Sequence, residues 1–250
     1  MTNAQGVVPV PGSPQPATWG KDGLSEYLET AYRNRIATFA NKRDEYSRLV
    51  AIDDCFSTVT TGWLNPPQLI PALLFIRTLG SYRAACEAAM AGAVVEAFVM
   101  IRAMLEAAGY AAHIGHTPSL SETWLSRHDS DPKVAKAARE KFTIGEVRRS
   151  ISVGNQHAAE LFHRLYNEAI DFGAHPNERG ITGNMTITDV PNGTQFQHVL
   201  LQGDGLQMDY ALITTARAGL CSLDILQTVF PERYELLRMI PRMLKLRQGV

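Results

Sequence analysis

The chain has 250 residues, of which 45% are hydrophobic and 20% charged, a composition typical of globular proteins and unlike that of disordered or fibrous chains. Its 24 Lys and Arg nearly balance its 25 Asp and Glu, so the formal net charge of -1 supplies no overall attraction to nucleic acid or to an anionic membrane. The three cysteines, Cys55, Cys86 and Cys221, lie far apart, which favours buried free thiols over a disulfide framework.

The N-terminal segment differs in composition from the rest of the chain. Four prolines lie between Pro9 and Pro16, so residues 1–18 are predicted to be a disordered arm before a single helical domain over residues 19–250. The segment has no basic stretch followed by an apolar one, which argues against a secretory signal. No part of the chain approaches the ~20 apolar residues needed to cross a bilayer. We therefore expect a cytoplasmic protein with no membrane partner.

Helical periodicity accounts for most of the first half of the chain. Residues 21–60 predict one long helix that ends before Pro66 and Pro67. Its apolar residues recur at steps of three, four or seven and form one face opposite a charged one: Leu28, Tyr32, Ile36, Phe39, Tyr46 and Val50. A short helix over residues 68–79 follows. After Gly80 and Ser81, an alanine-rich central helix runs to His116, and its small side chains allow neighbouring helices to approach closely.

The second half of the chain predicts further helices and one pair of strands. Two or three short helices are expected over residues 119–152, and an amphipathic helix over 155–172 ends at Gly173. Two strand-forming runs flank Pro191-Asn192-Gly193 and predict a β-hairpin near residues 184–202, which must pack on helices or on a second subunit to be stable. Helices return from residue 206 onward. The expected fold is therefore all-α, an antiparallel helical bundle with one hairpin insertion.

Common catalytic and cofactor-binding motifs are missing from the sequence. We find no GxGxxG, P-loop, GxSxG or HExxH pattern, and we expect no cofactor and no metal. His113 and His116 are spaced to share a metal, but a helix C-terminus equally favours histidines there. A di-metal carboxylate bundle would need several Glu-x-x-His pairs, and Glu160/His163 is the single match.

Polar residues on the central helix form the first candidate site. Arg102, Glu106 and Tyr110 follow at four-residue steps and therefore lie on one helix face, as Arg83 and Glu87 do one stretch earlier. These residues either line a polar seam or ligand pocket, or form ordinary helical ion pairs, each stabilising by ~0.2–0.5 kcal/mol.

A second candidate site lies near the end of the helix over residues 155–172. Arg164, Asn167, Asp171 and His175 are three, four and four residues apart, and they form one polar stripe if the helix reaches His175. The planar guanidinium group of arginine presents several hydrogen-bond donors to a phosphate, and the histidine side chain exchanges protons near neutral pH. Alternatively, His175-Pro176-Asn177 is a helix-ending turn whose side chains satisfy free backbone groups.

Two segments taken together carry a resemblance to a known superfamily. IRAMLEAAGYAAHI at 101–114 followed by LYNEAIDFGAHPN at 165–177 resembles uncharacterised bacterial all-helical proteins that are distantly similar to the HEPN (higher eukaryotes and prokaryotes nucleotide-binding) superfamily. The likeness covers roughly residues 80–177, and the positions that carry it are Arg102, Glu106, Tyr110, Tyr166, His175 and Pro176.

The HEPN resemblance implies an antiparallel helical bundle that dimerises. It also implies either a metal-independent ribonuclease or an accessory module of toxin–antitoxin and anti-phage systems. The ribonuclease signature of that superfamily is an arginine and a histidine with four to six residues between them. No histidine of this chain has an arginine at that spacing, and this departure favours a binding or structural relative.

Two functional hypotheses follow. The first is a non-enzymatic binding or interaction module that forms a homo-oligomer, such as a dimer, and whose polar seam binds a ligand. The seam residues are Arg102, Glu106, Tyr110, Tyr166, Asn167 and Asp171. The alternative is a metal-independent endoribonuclease, in which Arg164 stabilises charge at the phosphorus, His175 moves the proton of the 2′-hydroxyl, and RNA is the partner.

The arrangement in space separates these hypotheses. A nuclease needs Arg164 and His175 exposed in one cleft, within one protomer or across a two-fold axis. A purely structural role predicts both side chains buried and hydrogen-bonded. Convergence of Arg102, Glu106 and His175 inside one subunit would indicate an internal polar clamp.

Overall fold

A computed structural model describes residues 16–175 and 178–248 of the chain. The arm predicted over residues 1–18 therefore lies, except for its last three residues, outside the described part, as does Pro176.

Helices dominate the described residues, and two strands interrupt them. The helices are α1 (Gly23–Asn41), α2 (Arg43–Thr60), α3 (Leu69–Ala91), α4 (Val94–His116), α5 (Leu120–Leu125), α6 (Pro132–Lys141), α7 (Ile144–Gly154), α8 (Gln156–Ala169), α9 (Glu178–Thr182), α10 (Leu206–Gln227), α11 (Pro231–Leu236) and α12 (Met239–Arg247). The strands are β1 (Met185–Val190) and β2 (Gly193–His198). A short 3₁₀ turn, Ser126–His128, follows α5, and a π-helical segment, Ile170–Ala174, extends α8. The prediction of a mostly helical fold with one hairpin is confirmed.

Helix α4 lies at the centre of the bundle and packs on α3, α7, α8 and α10. Its buried side chains include Phe98, Ile101 and Met104, none of which is exposed to solvent. Helix α7 can approach α4 closely at Gly109, which has no side chain. A Cβ atom at this position would lie only 2.7 Å from Val147 Cγ1 of α7. At this position a small residue of the central helix therefore allows close helix packing, as the sequence predicts.

Two predicted helix boundaries in the first half are wrong. The long helix predicted over residues 21–60 is broken at Lys42, whose ammonium group forms ion pairs of 2.6 Å with both Asp204 and Asp209. The boundary predicted at Gly80 does not exist, because α3 continues to Ala91. The chain turns instead at Gly92, which has φ +82° and leaves no room for a side chain, because a Cβ there would lie 2.0 Å from Gln202 O.

The face of α1 that the sequence predicts as apolar does not join the core. Leu28, Tyr32, Ile36 and Phe39 are between 37% and 53% exposed, although their spacing is that of a core-facing stripe. The helix instead contacts α3 through polar groups.

The hairpin stands out from the helices. β1 and β2 pair antiparallel around Pro191 and Asn192, with Ile187 opposite Phe196, and nearly every strand residue is exposed. Its base is held by Val199 N, which donates to Asn184 O at 2.7 Å. The expectation that the hairpin packs on helices is therefore not met within one protomer.

Other expectations concern the cysteines and membrane segments. All three are free thiols, as the sequence predicts; Cys55 and Cys221 are buried as expected, whereas Cys86 is only half-buried. None of the helices over residues 16–175 and 178–248 is both long enough and apolar enough to span a bilayer.

Candidate functional site

Three of the predicted seam residues meet between α4 and α8. Arg102 Nε donates to Glu106 Oε1 at 2.9 Å, and Arg102 Nη1 donates to the carbonyl oxygen of Ala174 at 3.1 Å. The hydroxyl of Tyr166 donates to the same Glu106 oxygen at 3.0 Å, and the guanidinium carbon of Arg102 lies 5.4 Å from the centre of the Tyr166 ring. We call these four residues the α4–α8 clamp.

The α4–α8 clamp ties the end of α8 to the middle of α4. Burial, with Glu106 adding to it, raises the pKa of Tyr166, so the hydroxyl stays protonated and remains a donor at neutral pH. Ala174 takes the position in the clamp that the sequence assigned to His175. Because its main polar groups are paired with one another, the clamp orients helices and offers little to a ligand.

Two other predicted seam residues point elsewhere. The Tyr110 hydroxyl donates to Phe142 O at 3.4 Å, and the Tyr110 and Phe142 rings meet edge to face, so this tyrosine fastens the connection between α6 and α7. Asn167 is exposed, and its Nδ2 lies 3.4 Å from His163 Nε2. Neither residue joins the α4–α8 clamp.

The polar stripe predicted to run to His175 is interrupted by the π-helical segment Ile170–Ala174. Gly173 has φ +148°, and a Cβ there would lie 2.7 Å from Val95 Cγ1, so only glycine fits this contact between α4 and the segment. Asp171 turns away and accepts a hydrogen bond from Arg179 at 3.3 Å.

Arg164 and His175 line different cavities. His175 is exposed and borders a space of about 270 Å³ beside the start of α4 and the base of the hairpin. Arg164 is also exposed and borders a space of about 480 Å³ between α8, α10 and the C-terminal helix α12. Within one protomer, the pair required for RNA cleavage therefore does not face one cleft, nor are the two side chains buried as a purely structural role predicts.

The larger cavity is rich in arginine. We call it the basic cleft, and its lining residues are His157, Leu161, Arg164, Leu165, Glu168, Arg217, Leu220, Asp224 and Arg247. Helix α8 contributes the first five, α10 the next three and α12 the last. Three arginines face two carboxylates and one histidine, so the lining carries a net positive charge.

The charges of the basic cleft are only partly paired. Arg247 donates to Asp224, whose side chain is 6% exposed, and burial raises the pKa of this carboxyl while Arg247 opposes the rise. Over the described residues, neither Arg164 nor Arg217 has a hydrogen bond or an ion pair with the protein. Two guanidinium groups are therefore left with their donors directed to solvent or to a ligand.

Arg164 is the one charged residue of the basic cleft that the polar stripe in the sequence predicts as a site residue. Arg217 and Asp224 are seven residues apart and so lie on one face of α10, a largely buried helix. Two charged residues on one face of a largely buried helix could have indicated a site, because an unpaired charge is costly to bury. Arg247 belongs to the basic C-terminal segment, but its proximity to α8 and α10 is not readable from the sequence.

The two histidines at the end of α4 are structural connectors. His113 Nδ1 lies 2.6 Å from Ser150 Oγ, and its Nε2 donates to Lys141 O at 2.9 Å. His116 Nδ1 lies 3.0 Å from Ser150 O and Nε2 lies 3.1 Å from Thr228 Oγ1. All four ring nitrogens are thus occupied by the protein. In the described part of the chain, no group of three or more His, Cys, Asp or Glu is placed to hold a metal ion.

The burial of His113 makes stability depend on pH. Burial lowers the pKa of His113 from its ordinary value of 6.5, so the unfolded chain takes up a proton at a pH where the folded chain does not. The free energy of unfolding should therefore fall as pH drops below 6.5, by at most about 1.4 kcal/mol per pH unit from this group. Urea unfolding across this range should show that His113→Asn removes this part of the slope.

The exposed His128 provides the control for this measurement. The same substitution at this exposed position, His128→Asn, should change the free energy of unfolding little. A slope that survives His113→Asn unchanged would contradict the assignment.

Comparison of this chain with protein-family models, with curated proteins and with solved structures finds no match. The resemblance to HEPN proteins thus rests on residues 80–177 of the sequence alone.

Proposed function

We propose that this protein is a non-enzymatic binding protein that takes an organic anion in the basic cleft. The observation that carries this proposal is that Arg164 and Arg217, which form no hydrogen bond or ion pair in the described part of the protein, line a cavity of about 480 Å³ beside Arg247. This volume lies within the range of about 300–1,000 Å³ found for small-molecule sites.

The lining of the basic cleft indicates the class of ligand. Planar guanidinium groups bind carboxylate and phosphate in pairs of parallel hydrogen bonds. Leu161, Leu165 and Leu220 form an apolar wall beside them, suited to the hydrocarbon part of the ligand. A small molecule that joins an apolar body to phosphate or carboxylate groups meets both requirements.

The α4–α8 clamp supports this function by holding α8 in place. Arg102 and Glu106 fix Tyr166 and the end of the helix that carries Arg164. The clamp residues therefore act as positioning residues in this proposal, and the ligand contacts come from the opposite side of α8.

The HEPN-like ribonuclease alternative has less support. Cleavage needs Arg164 and His175 at one phosphodiester, and these residues line separate cavities in a protomer. A nuclease site would therefore have to form between two copies of the chain.

Calorimetric titration of the full chain with inorganic pyrophosphate and with citrate tests the proposal. Each lost hydrogen bond to a charged group is worth about 1.5–3 kcal/mol, so Arg164→Ala and Arg217→Ala should each weaken binding by roughly 10-fold or more. Arg77→Ala is the matched control, because Arg77 is exposed on α3 away from the basic cleft.

Three results would overturn the proposal. One is the absence of saturable binding of either anion. Another is equal weakening by Arg77→Ala and by the cleft variants. The third is cleavage of total RNA in EDTA that disappears in an Arg164→Ala, His175→Ala double variant, since this would establish the nuclease instead.

A further inference from the structure

Helix α1 packs on the bundle with its polar side. Thr38 is 5% exposed, and its hydroxyl donates to Met90 O at 2.9 Å. Asn34 Nδ2 donates to Ala91 O, also at 2.9 Å. These contacts attach α1 to the end of α3 by hydrogen bonds, whereas most amphipathic helices attach by their apolar stripe.

The apolar side of α1 is turned to solvent. Five residues at steps of four, four, four and three form a continuous stripe, which we call the apolar face of α1: Leu24, Leu28, Tyr32, Ile36 and Phe39. Their exposed fractions range from 37% to 69%. Trp19, which is 41% exposed, lies just before α1, and its indole donates to Glu29 Oε2 at 3.1 Å.

The size of the apolar face of α1 is that of half an interface. If each large side chain offers ~200 Å² when fully exposed, the five residues present on the order of 500 Å² of surface. A symmetric pair of such faces would bury at most about 1,000 Å², the area that a specific interface should reach. A patch of about 500 Å² is as large as the largest apolar patch of a typical monomer, and such patches are often functional.

The charges along α1 identify the partner and its direction. Asp22, Glu26 and Glu29 lie in the N-terminal half of the helix or at its cap, and Arg33 and Arg35 lie in the C-terminal half. Within one protomer Arg33 pairs with Glu29 at 2.9 Å, and Arg35 pairs with Glu87 of α3. An antiparallel copy of α1 therefore sets acidic residues beside basic ones at both ends, whereas a parallel copy sets like charges together. A helix built to lie on an anionic membrane would carry lysine and arginine along its whole polar side.

We propose that the apolar face of α1 pairs antiparallel with the same face of a second copy of this chain, forming a two-fold homodimer. The spacing of the stripe places the two-fold axis near Tyr32. Leu28 then lies opposite Ile36 of the partner subunit, and Leu24 lies opposite Phe39 of the partner subunit. The proposal is independent of the basic cleft, which lies on α8, α10 and α12.

Light scattering over a concentration series tests for the dimer. Wild type should show the mass of a dimer that dissociates on dilution, and Leu28→Asp should shift the midpoint of dissociation at least 10-fold toward higher concentration. Leu28 is exposed in the protomer, so this substitution leaves the fold intact, as circular dichroism will verify. Leu206→Asp is the matched control, since Leu206 is 85% exposed at the start of α10.

Disulfide cross-linking tests the direction. In an antiparallel pair the two Leu28 positions are eight residues apart, about 12 Å along the axis, which is too far for a disulfide. Leu28→Cys and Ile36→Cys should therefore cross-link with each other when mixed under mild oxidation, and each should cross-link little alone. Wild type controls for the native cysteines.

Each contrary result overturns the proposal. A strict monomer at the highest attainable concentration removes the dimer. Equal effects of Leu28→Asp and Leu206→Asp place the interface elsewhere. Efficient cross-linking of Leu28→Cys alone indicates a parallel pair, and a monomer that sediments with anionic vesicles indicates a membrane-binding helix.

Discussion

Arg247→Ala is expected to lower the free energy of unfolding by about 1–3 kcal/mol, because it leaves the carboxylate of Asp224 buried without its cation. The expected cost is smaller than for a wholly buried pair, since the Arg247 side chain is 40% exposed. Urea unfolding of the variant against wild type gives the value. Arg77→Ala, on the exposed side of α3, should change stability little.

The loss of stability in the Arg247→Ala variant should grow as pH rises. Burial raises the pKa of Asp224 above its ordinary 3.8, and removal of Arg247 raises it further. The folded variant then holds a proton that the unfolded chain releases, so its stability falls as pH rises from 3.8 through the folded-state pKa.

A second substitution separates charge burial from lost packing. Asp224→Asn removes the charge and keeps the shape, so in the Arg247→Ala background it should restore most of the stability and abolish the added pH dependence. An Arg247→Ala variant as stable as wild type at every pH would contradict the pairing. The pairing matters for the proposed function, because Arg247 neutralises the carboxylate of Asp224 in the basic cleft. Arg164 and Arg217 then remain for the ligand.

Gly219→Ala is expected to destabilise the protein by up to about 2 kcal/mol, because overpacking costs about 1–3 kcal/mol and alanine returns about 1 kcal/mol. A Cβ at Gly219 would lie 2.6 Å from Tyr82 Cε2 and 2.9 Å from Ile52 Cγ2. Tyr82 cannot move aside easily, because it is fully buried and its hydroxyl donates to Leu49 O at 2.8 Å. The overpacking should outweigh the gain of about 1 kcal/mol in helix propensity that alanine brings.

Gly80→Ala is the matched control for Gly219→Ala. Gly80 lies inside α3, and a Cβ there meets no atom within 4 Å. The same substitution should therefore stabilise the protein by up to about 1 kcal/mol. Thermal and urea unfolding of both variants should give opposite signs, and a shared sign would show that helix propensity, and not packing, dominates at Gly219.

The candidate site was only partly predictable from the sequence. The four-residue spacing of Arg102 and Glu106 correctly places them on one face, and Tyr166 joins them from the second segment of the HEPN-like likeness. The stripe from Arg164 to His175 was predicted as one surface, but the π-helical turn at Gly173 ends it. That turn depends on the close approach of Val95 from α4, which no local pattern reveals.

Local sequence determined which segments of this protein become helix or strand, because alanine content, prolines and the Asn-Gly turn act over a few residues. The tertiary structure decided which face each helix buries. The stripe through Leu28 and Ile36 has the period of a core face, yet α3 offers α1 free carbonyl groups at Met90 and Ala91, and α1 binds them with its polar side. Likewise, the basic cleft exists only because α8, α10 and α12 pack together and bring Arg164, Arg217 and Arg247 to one place. Whether a charge is buried and which charge it pairs with depend on this packing of helices that are distant in the sequence.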